Sequence, residues 1–401
     1  MTAKTYTYKT NDTVLLFHKI CNLVYLGCGT NFMFHKLKLP TKFIKTFNHV
    51  SKIFEMLSVV LICSEWGAFV TQKNLTLVQK TDLFLFGPTS ITLYVMYWNG
   101  VYRKGQIKDL SFTLAVTLKE MFCDSEIEKK MIKKTWRFVV AMVCIVFGFL
   151  LATGINNGYR ALTTNATFTT MLPVWPSLED HSKAAGICRV VHYIVWWIFV
   201  TRVTCMYFII LAIAICLQHQ FRILHEYFLS LPGIFDGEGS QEEKERKFED
   251  RLKHGIKMHS LTLWCTDQTQ LTCGVAFSTQ VITNVLSLVL LMVQWMNMER
   301  TFGNAVQVIM FANCMLIGTG IFMWNAGDIT FEAAKLPTAM FHSGWHNCRG
   351  QSAARVRKLL TIAMRQAQDR VVIKGLGIIE LSYESYISIV KSSYSVFSVM
   401  Y

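Results

Sequence analysis

Seven long apolar segments alternate with polar stretches along the 401-residue chain. They cover residues 50–70, 81–101, 137–156, 187–216, 271–295, 303–324 and 377–400. Segments of this length match the ~20 residues of α-helix that cross ~30 Å of hydrocarbon. Segment 271–295 contains no charged residue, so as a helix it has no face suited to water. The pattern therefore predicts an all-α integral membrane protein with seven transmembrane helices.

The lysines and arginines lie almost entirely on one side of these segments. If the N-terminus is cytoplasmic, 30 of the 40 fall in cytoplasmic stretches and 5 in extracellular ones. Cytoplasmic loops retain Lys and Arg because the positive-inside bias sets orientation during insertion. We therefore predict a cytoplasmic N-terminus and an extracellular C-terminus.

Composition agrees with a membrane protein, since 52% of the residues are hydrophobic and only 6 are proline. That is more apolar surface than one soluble core of this length uses. A net charge of +14 would suit nucleic-acid binding if it were clustered. Spread over four loops on one side, it indicates contact with anionic lipid headgroups instead. We expect a lipid bilayer, and no nucleic acid, among the partners.

The chain shows no internal repeat and no low-complexity linker, which predicts a single domain over 1–401. Its parts are a cytoplasmic tail (1–49), helices one to six (50–324), a cytoplasmic region (325–376) and the last helix (377–401). The tail has no cleavable signal pattern, and its moderately apolar sequence predicts a helix along the membrane surface or against the bundle.

Glycosylation sequons begin at Asn74 and Asn165, both on the side that the charge bias makes extracellular. We predict glycans at these two positions and none at the cytoplasmic sequon of Asn11. The 12 cysteines lie within apolar segments or on the reducing side, apart from Cys188, so they predict no extracellular disulfide.

Motifs for catalysis are weak. His225-Glu226 begins like a zinc-protease helix, but Leu229 stands where the second histidine ligand is needed. The spacing of His342, His346 and Cys348 could hold a metal, yet no fourth ligand is near. The sequence therefore predicts no enzyme, no cofactor and no metal site.

Polar residues inside the apolar segments are more informative. A charged residue at a helix centre costs at least ~2.5 kcal/mol unless it faces protein or water. Arg202 lies mid-segment, which predicts a buried pairing or a snorkelling side chain that fixes the bundle. His192, nearer the outer end, either hydrogen-bonds a ligand or packs in the bundle.

Hydroxyl side chains form a stripe along the last segment. At 100° per residue, Ser385, Ser388, Ser392 and Ser395 fall within about 80° of one another, with Val396 and Val399 flanking them. Such a stripe faces other helices or water and not lipid. Two interpretations remain open, a pore lined by several copies of this helix and ordinary packing through small residues.

The final seventy or so residues resemble the C-terminal signature of insect odorant receptors. The resemblance is carried by GDITFEAAKLPTAMFHSGWHNC (327–348), RVRKLLTIAMRQAQDRVVIK (355–374) and GLGIIELSYESYISIVKSSYSVF (375–397). HYIVWWIFVTRVTCMYF in the fourth segment, the topology and the length also fit. The resemblance implies a ligand-gated, non-selective cation channel in the plasma membrane of olfactory-neuron dendrites. There, an odour-binding tuning subunit assembles with a common co-receptor into a tetramer.

The resemblance also implies roles for individual residues. The chain length of 401 residues and the short cytoplasmic stretch 217–270 imply a tuning subunit. A small volatile apolar ligand would bind among the outer halves of helices two, three, four and six. The ligand-binding residues would be Phe86, Ser90, Phe147, Leu151, His192, Tyr193, Trp197 and Met310. The pore-lining residues would be Ser388, Ser392, Ser395, Val396 and Val399.

Two alternatives are weighed against this resemblance. A gustatory receptor of the same superfamily would share the architecture, but it is expected to carry a Thr-Tyr … Gln-Phe pattern that the last segment lacks. A G-protein-coupled receptor needs an extracellular N-terminus, which would invert the bias of Lys and Arg. The Asp369-Arg370 pair resembles the Asp-Arg of those receptors, but it lies between the sixth and seventh segments.

Overall fold

The computed structural model describes residues 8–34, 39–72, 77–163, 175, 180–297, 301–375 and 377–400. Its elements are α1 (Asp12–Cys28), α2 (Thr41–Thr71), α3 (Leu77–Tyr102), α4 (Lys104–Phe112), α5 (Leu118–Met121), α6 (Ser125–Thr163), α7 (Lys183–Ser230), α8 (Gln241–Asn297), α9 (Phe302–Ala334), α10 (Leu336–Phe341), α11 (Ser352–Gln368), β1 (Lys374–Gly375), β2 (Ile379–Glu380) and α12 (Tyr383–Met400). A π-helical turn (Thr113–Thr117) joins α4 to α5, and short 3-10 helices follow α7 (Leu231–Ile234) and α10 (Trp345–Asn347). This is the predicted all-α class.

Six of the seven apolar segments lie inside α2, α3, α6, α7, α8 and α9. The seventh helix, α12, begins at Tyr383 and not at 377 as predicted. The residues before it form a two-stranded antiparallel hairpin that pairs Lys374 with Glu380. Gly377 has a φ of 72°, which suits the left-handed turn of that hairpin. The Ser382 side chain then accepts a hydrogen bond from the Ser385 N–H, which starts the helix.

The helix α7 forms the centre of the bundle. It packs against α1, α2, α6, α8 and α9. Among the residues that the structure describes, four helical stretches are long and apolar enough to cross a membrane by length and composition: Thr41–Thr71, Lys183–Ile234, Gln241–Met296 and Val308–Asn347. In the most apolar part of Lys183–Ile234, 83% of the residues are buried, against 28% for Thr41–Thr71. The first is therefore enclosed by protein, whereas α2 lies at the perimeter, where its apolar side chains suit lipid.

The N-terminal tail forms a helix that lies against the bundle, which is one of the two predicted placements. The side chain of Asn11 caps α1 by accepting from the Val14 N–H, and Gly29 ends it at a φ of 73°. Val14, Phe17 and Ile20 are fully buried on the face toward the bundle. Burial of this apolar face holds the tail on α7.

The helices α7 and α8 extend past their apolar segments at one end of the bundle. Residues 217–230 of α7 and 241–270 of α8, which the sequence placed in a loop, continue as helix there, and α10 and α11 pack against them. We call this end the α11 end. The opposite end, where α2 stops at Thr71 and α3 starts at Leu77, is called the far end.

Candidate functional site

Arg202 fixes three helices to α7 toward the α11 end. Its guanidinium is 4% exposed and donates hydrogen bonds to the Cys28 carbonyl (3.2 Å), the Ser51 carbonyl (3.2 Å) and the Tyr97 hydroxyl (2.8 Å). The guanidinium also lies 5.1 Å from the centre of the Tyr97 ring, within the range of a cation–π contact. Bonds from a charged donor are stronger than those between neutral groups. The structure thus gives Arg202 the buried, bundle-fixing position that the sequence predicted.

A separate hydrophobic cluster lies toward the far end, and we call it the far-end cluster. Its buried members are Leu61, Phe149, Val195, Trp196, Leu291, Phe311 and Cys314. They come from α2, α6, α7, α8 and α9, so five helices meet here. The rings of Phe149 and Phe311 stack with their centres 5.0 Å apart. An apolar region shared by several helices is the setting in which small organic ligands bind in helical proteins.

Three predicted ligand-binding residues, Phe147, Trp197 and Met310, are partly buried and pack against the far-end cluster. Tyr193 contacts Trp197 edge to face, with ring centres 6.1 Å apart. Gly154 allows this approach of α6, because a Cβ there would lie 2.9 Å from the Trp197 ring. Leu151 is 58% exposed, so the structure does not bring its side chain into the cluster.

The remaining predicted ligand-binding residues are His192, Ser90 and Phe86. His192 is buried, and its Nδ1 lies 2.9 Å from the Cys188 carbonyl one helical turn back. This local bond leaves Nε2 as the nitrogen that could meet a ligand. Ser90 is buried on α3, facing α2. The side chain of Phe86 lies outside the described residues.

Sequence reasoning missed a buried carboxylate in this region. Glu65 of α2 is 1% exposed, and neither of its oxygens has a hydrogen-bond partner in the part of the chain that the structure describes. Ser90 is the polar side chain beside it. On α8, the buried amide of Asn284 and hydroxyl of Ser287 are also without partners among the described residues. An acid within the apolar segment 50–70 was the available signal for Glu65.

The last helix packs on one face and exposes the other. Ile389 is buried, and the Tyr386 hydroxyl donates to the Leu316 carbonyl of α9 (3.1 Å). Ser388, Ser392 and Ser395 are exposed, and at 100° per residue they lie about 60–120° around the helix from Ile389 and about 120–180° from Tyr386. The described helices therefore leave these three serines exposed, although Ser395 also borders a cavity with Met292 of α8. The side chains of Val396 and Val399 lie outside the described residues.

A polar cluster holds the base of α12. Tyr383 donates to Asp328 of α9 through a short hydrogen bond. Lys134 of α6 forms an ion pair with the same carboxylate (2.7 Å) and donates to Gln218 of α7 (2.6 Å). Three other helices are thus connected to the start of the last one.

At the α11 end, Glu245 of α8 holds the start of α11. It is 3% exposed and accepts from the backbone N–H groups of Arg349 (2.7 Å) and Gly350 (3.0 Å), from Ser352 and from Gln241. Burial by itself would raise the pKa of Glu245, but these hydrogen bonds outweigh burial and lower that pKa to about 2. One turn further along α8, a hydrogen bond from Arg355, with a second from Lys253, lowers the pKa of Glu249.

The predicted glycosylation sequons of Asn74 and Asn165 lie outside the described residues. Within the described ranges, no group of three or more His, Cys, Asp or Glu side chains could hold a metal ion. Cys348 is buried, whereas His342 and His346 are exposed, so their spacing in sequence does not produce a shared site.

The fold is similar to that of solved olfactory receptor structures. The insect olfactory receptor OR5 from Machilis hrabei superposes with a TM-score of 0.79, covering 97% of this chain and 99% of that one at 13% sequence identity. The same receptor in complex with eugenol superposes with a TM-score of 0.77 at 14% identity. At such identities the likeness concerns the fold alone, and this fold is a seven-helix membrane bundle. A comparison with curated protein sequences gave no match.

The amino-acid sequence itself shows to which protein family the chain belongs. The profile of the 7tm Odorant receptor family matches residues 81–394, which is most of the chain and includes the far-end cluster apart from Leu61, the α11 end and most of α12. This is the family indicated by the C-terminal resemblance. The chain therefore belongs to the 7tm Odorant receptor family, whose members are multi-pass membrane receptors and not enzymes.

Proposed function

We propose that the chain is the odorant-binding, tuning subunit of a heteromeric ligand-gated cation channel. It would detect small volatile organic molecules at the dendritic plasma membrane of olfactory neurons. The observation that carries the proposal is the exposed serine stripe of α12, in a chain of the odorant receptor family. One such helix encloses no lumen, so the stripe needs the last helices of other subunits around it.

The proposed orientation has the α11 end in the cytoplasm and the C-terminus outside. The 30-to-5 partition of Lys and Arg supports it, because four basic stretches would then be cytoplasmic. Asn74 and Asn165 would be glycosylated, and Asn11 would not. The region 325–376 would form the cytoplasmic contact with co-receptor subunits in a tetramer.

The pore would be lined by Ser388, Ser392 and Ser395, with Val396 and Val399 at its narrowest part. Hydroxyl groups along a helix offer water and cations a polar wall, and an apolar ring near the mouth could close by dewetting. Tyr383 and Tyr386 would keep this face turned away from α9, because both are bonded to that helix.

The ligand would bind at the far end, among the residues that surround the far-end cluster. Phe147, Trp197 and Met310 pack against the cluster, and the other residues proposed for the site are Phe86, Ser90, Leu151, His192 and Tyr193, with Leu151 the one whose exposure weakens its place. The Machilis receptor of the same fold was solved in complex with eugenol, a small organic molecule. This supports a small-molecule site in the present chain.

The proposal can be tested by recording currents from cells that express the chain with a co-receptor subunit. We expect a volatile panel to open a cation conductance that needs both subunits and no G protein. Ser392→Phe should lower the single-channel conductance, because it narrows a lumen-facing position. Ile387→Phe, on the same helix but about 140° away, is the matched control and should conduct normally. Responses without the co-receptor, or unchanged conductance in Ser392→Phe, would contradict the proposal.

A further inference from the structure

The carboxylate of Glu65 has no charged partner in the part of the chain that the structure describes. Its side chain is 1% exposed, and among the described residues neither oxygen has a donor that meets full hydrogen-bond geometry, although the Ser90 hydroxyl lies beside it. No described lysine or arginine forms an ion pair with it. Burying an uncompensated ion costs several kcal/mol, and even a neutral polar group without a partner costs about 1–3 kcal/mol. A residue of this kind at a helix perimeter would ordinarily turn toward the headgroups.

The side chain of Glu65 instead points into the bundle. Leu61, one turn before it on α2, belongs to the far-end cluster, and Ala68, one turn after it, is fully buried. Residues three and four apart share one face of a helix, so Glu65 lies on the same inward face. Ser90, a predicted ligand-binding residue, is its polar neighbour on α3. The carboxylate is therefore directed toward the proposed ligand site.

We propose that Glu65 determines ligand specificity by binding a protonated amine. The nitrogen of the ligand would donate hydrogen bonds to the Glu65 oxygens and to the Ser90 hydroxyl. The hydrocarbon part would lie on the far-end cluster, which begins one helical turn away at Leu61. This inference rests on the proposed function, since it assumes that the odorant site is at the far end. It names the class as small volatile amines, where the family resemblance implied a small volatile apolar ligand.

The chemistry of the carboxylate selects an amine over other volatiles. An ionised carboxylate only accepts hydrogen bonds, and an ammonium group supplies several donors together with the compensating charge. A primary alkylamine is protonated at neutral pH, as the lysine side chain is. An alcohol offers one donor and no charge, and an ester or ether offers no donor at all. An alcohol and an amine of equal chain length therefore separate this interaction from apolar contact.

The experiment measures binding directly, so that it does not depend on channel opening. The purified full-length chain in lipid nanodiscs would be titrated with n-alkylamines of four to eight carbons and with the matching n-alcohols, with tryptophan fluorescence as the readout. We expect at least one amine to bind ten or more times tighter than its alcohol. Glu65→Gln keeps the size of the side chain but cannot hold a charge, and it should weaken amine binding at least tenfold.

Alcohol binding to Glu65→Gln should stay within about threefold, which also shows that this variant is folded. Glu55→Gln, almost three turns earlier on α2 and half-buried, is the matched control and should leave the preference for amines intact. Equal affinity for amines and alcohols in the unmodified chain would overturn the inference. A parallel loss of both ligand classes in Glu65→Gln would overturn it as well.

The two proposals fail in different ways. Glu65-dependent amine binding without any current from the co-expressed channel would contradict the channel-subunit proposal and support the amine site. Currents evoked by neutral volatiles, with amine responses that Glu65→Gln leaves unchanged, would do the reverse.

Discussion

Two buried carboxylates, one at each end of the bundle, differ in the hydrogen bonds that their neighbours donate to them. Glu245 at the α11 end is 3% exposed and accepts four sets of hydrogen bonds, two of them from backbone N–H groups. Glu65 toward the far end is 1% exposed and accepts none from the described residues. The same chemical group is thus a structural cross-link at one end and an unpaired acceptor at the other.

The difference indicates a division of work between the two ends. A satisfied buried network holds its helices in one arrangement, whereas an unsatisfied group lowers stability until a ligand supplies its partner. Under the proposed function, the α11 end, with Glu245, Glu249 and their partners on α11, would hold subunits together. The far end would respond to a small molecule. Measurements of stability in single-residue variants test this difference between the two ends.

The largest loss of stability is expected for Arg202→Ala. The buried carbonyls of Cys28 and Ser51 and the hydroxyl of Tyr97 would lose a donor, and each such loss costs about 1–3 kcal/mol. We expect the free energy of unfolding to fall by about 3–5 kcal/mol, read as a lower melting temperature of the purified protein. Arg202→Lys keeps the charge but cannot reach all three acceptors. Its melting temperature should therefore lie between those of the unmodified chain and Arg202→Ala. An unchanged melting temperature in Arg202→Ala would rule out the bundle-fixing role.

Glu245→Ala should be the next most damaging change. It leaves the buried N–H groups of Arg349 and Gly350 without their acceptor, which corresponds to roughly 2–4 kcal/mol. Glu242→Ala, an exposed acid three residues earlier on α8, is the matched control and should melt like the unmodified chain. Chemical denaturation of both variants would measure the difference. Equal effects of the two substitutions would remove the contrast between the ends.

Glu245 should also make stability depend on pH. Its pKa in the folded chain is lowered to about 2, below that of an unfolded glutamate, so the ionised form favours folding. This contribution is fully present above about pH 5 and is lost as the pH falls toward 2. Melting curves between pH 7 and pH 3 should therefore show a smaller decrease for Glu245→Gln than for the unmodified chain. Equal decreases in the melting temperatures of the two proteins would show that other groups cause the pH dependence of stability.

Glu65→Leu should act in the opposite direction. Replacing an unpartnered buried carboxyl by an apolar side chain of similar size removes its desolvation cost, so we expect a gain of about 1–2 kcal/mol. Glu65→Gln keeps a polar group there and should gain less. Melting temperatures of the three proteins without ligand would decide this. A loss of stability in Glu65→Leu would mean that the carboxylate already has a partner.

The smallest effect is expected for the exposed ion pair between Lys129 and Glu126. Their side chains are 69% and 71% exposed, and such pairs contribute about 0.2–1 kcal/mol at most. Lys129→Ala should therefore leave the melting temperature within experimental error. A clear decrease would mean that melting does not distinguish buried from surface charges in this protein, which would weaken the preceding comparisons.

The sequence predicted the helices better than it predicted their ends. Six apolar segments match helices because length and hydrophobicity decide whether a segment can cross a bilayer. The start of the seventh was misplaced, since Ile378 and Ile379 are apolar but belong to a hairpin whose turn depends on Gly377. The extensions of α7 and α8 past the apolar segments were missed because their polar residues are typical of a loop and predicted one there.

Buried polar contacts could be located in sequence but not paired. Arg202 was recognisable as a charge inside an apolar segment, yet two of its acceptors are the backbone carbonyls of Cys28 and Ser51, which no residue pattern marks. Glu65 lies in the apolar segment 50–70 and could have been noted in the same way. Whether it has a partner depends on the facing helices, and this only a three-dimensional structure provides. The predicted ligand and pore residues remain predictions.

The length of α8 has a mechanical consequence. This single helix of 57 residues contributes Leu291 to the far-end cluster, packs against α12 and carries Glu245 toward its other end. At 1.5 Å per residue it is a rod of roughly 85 Å, so a tilt of about 2° around its midpoint moves each end by about 1.5 Å. No loop within it can absorb such a movement. A displacement where α8 meets the far-end cluster is therefore delivered, with its direction reversed, to the helices at the α11 end.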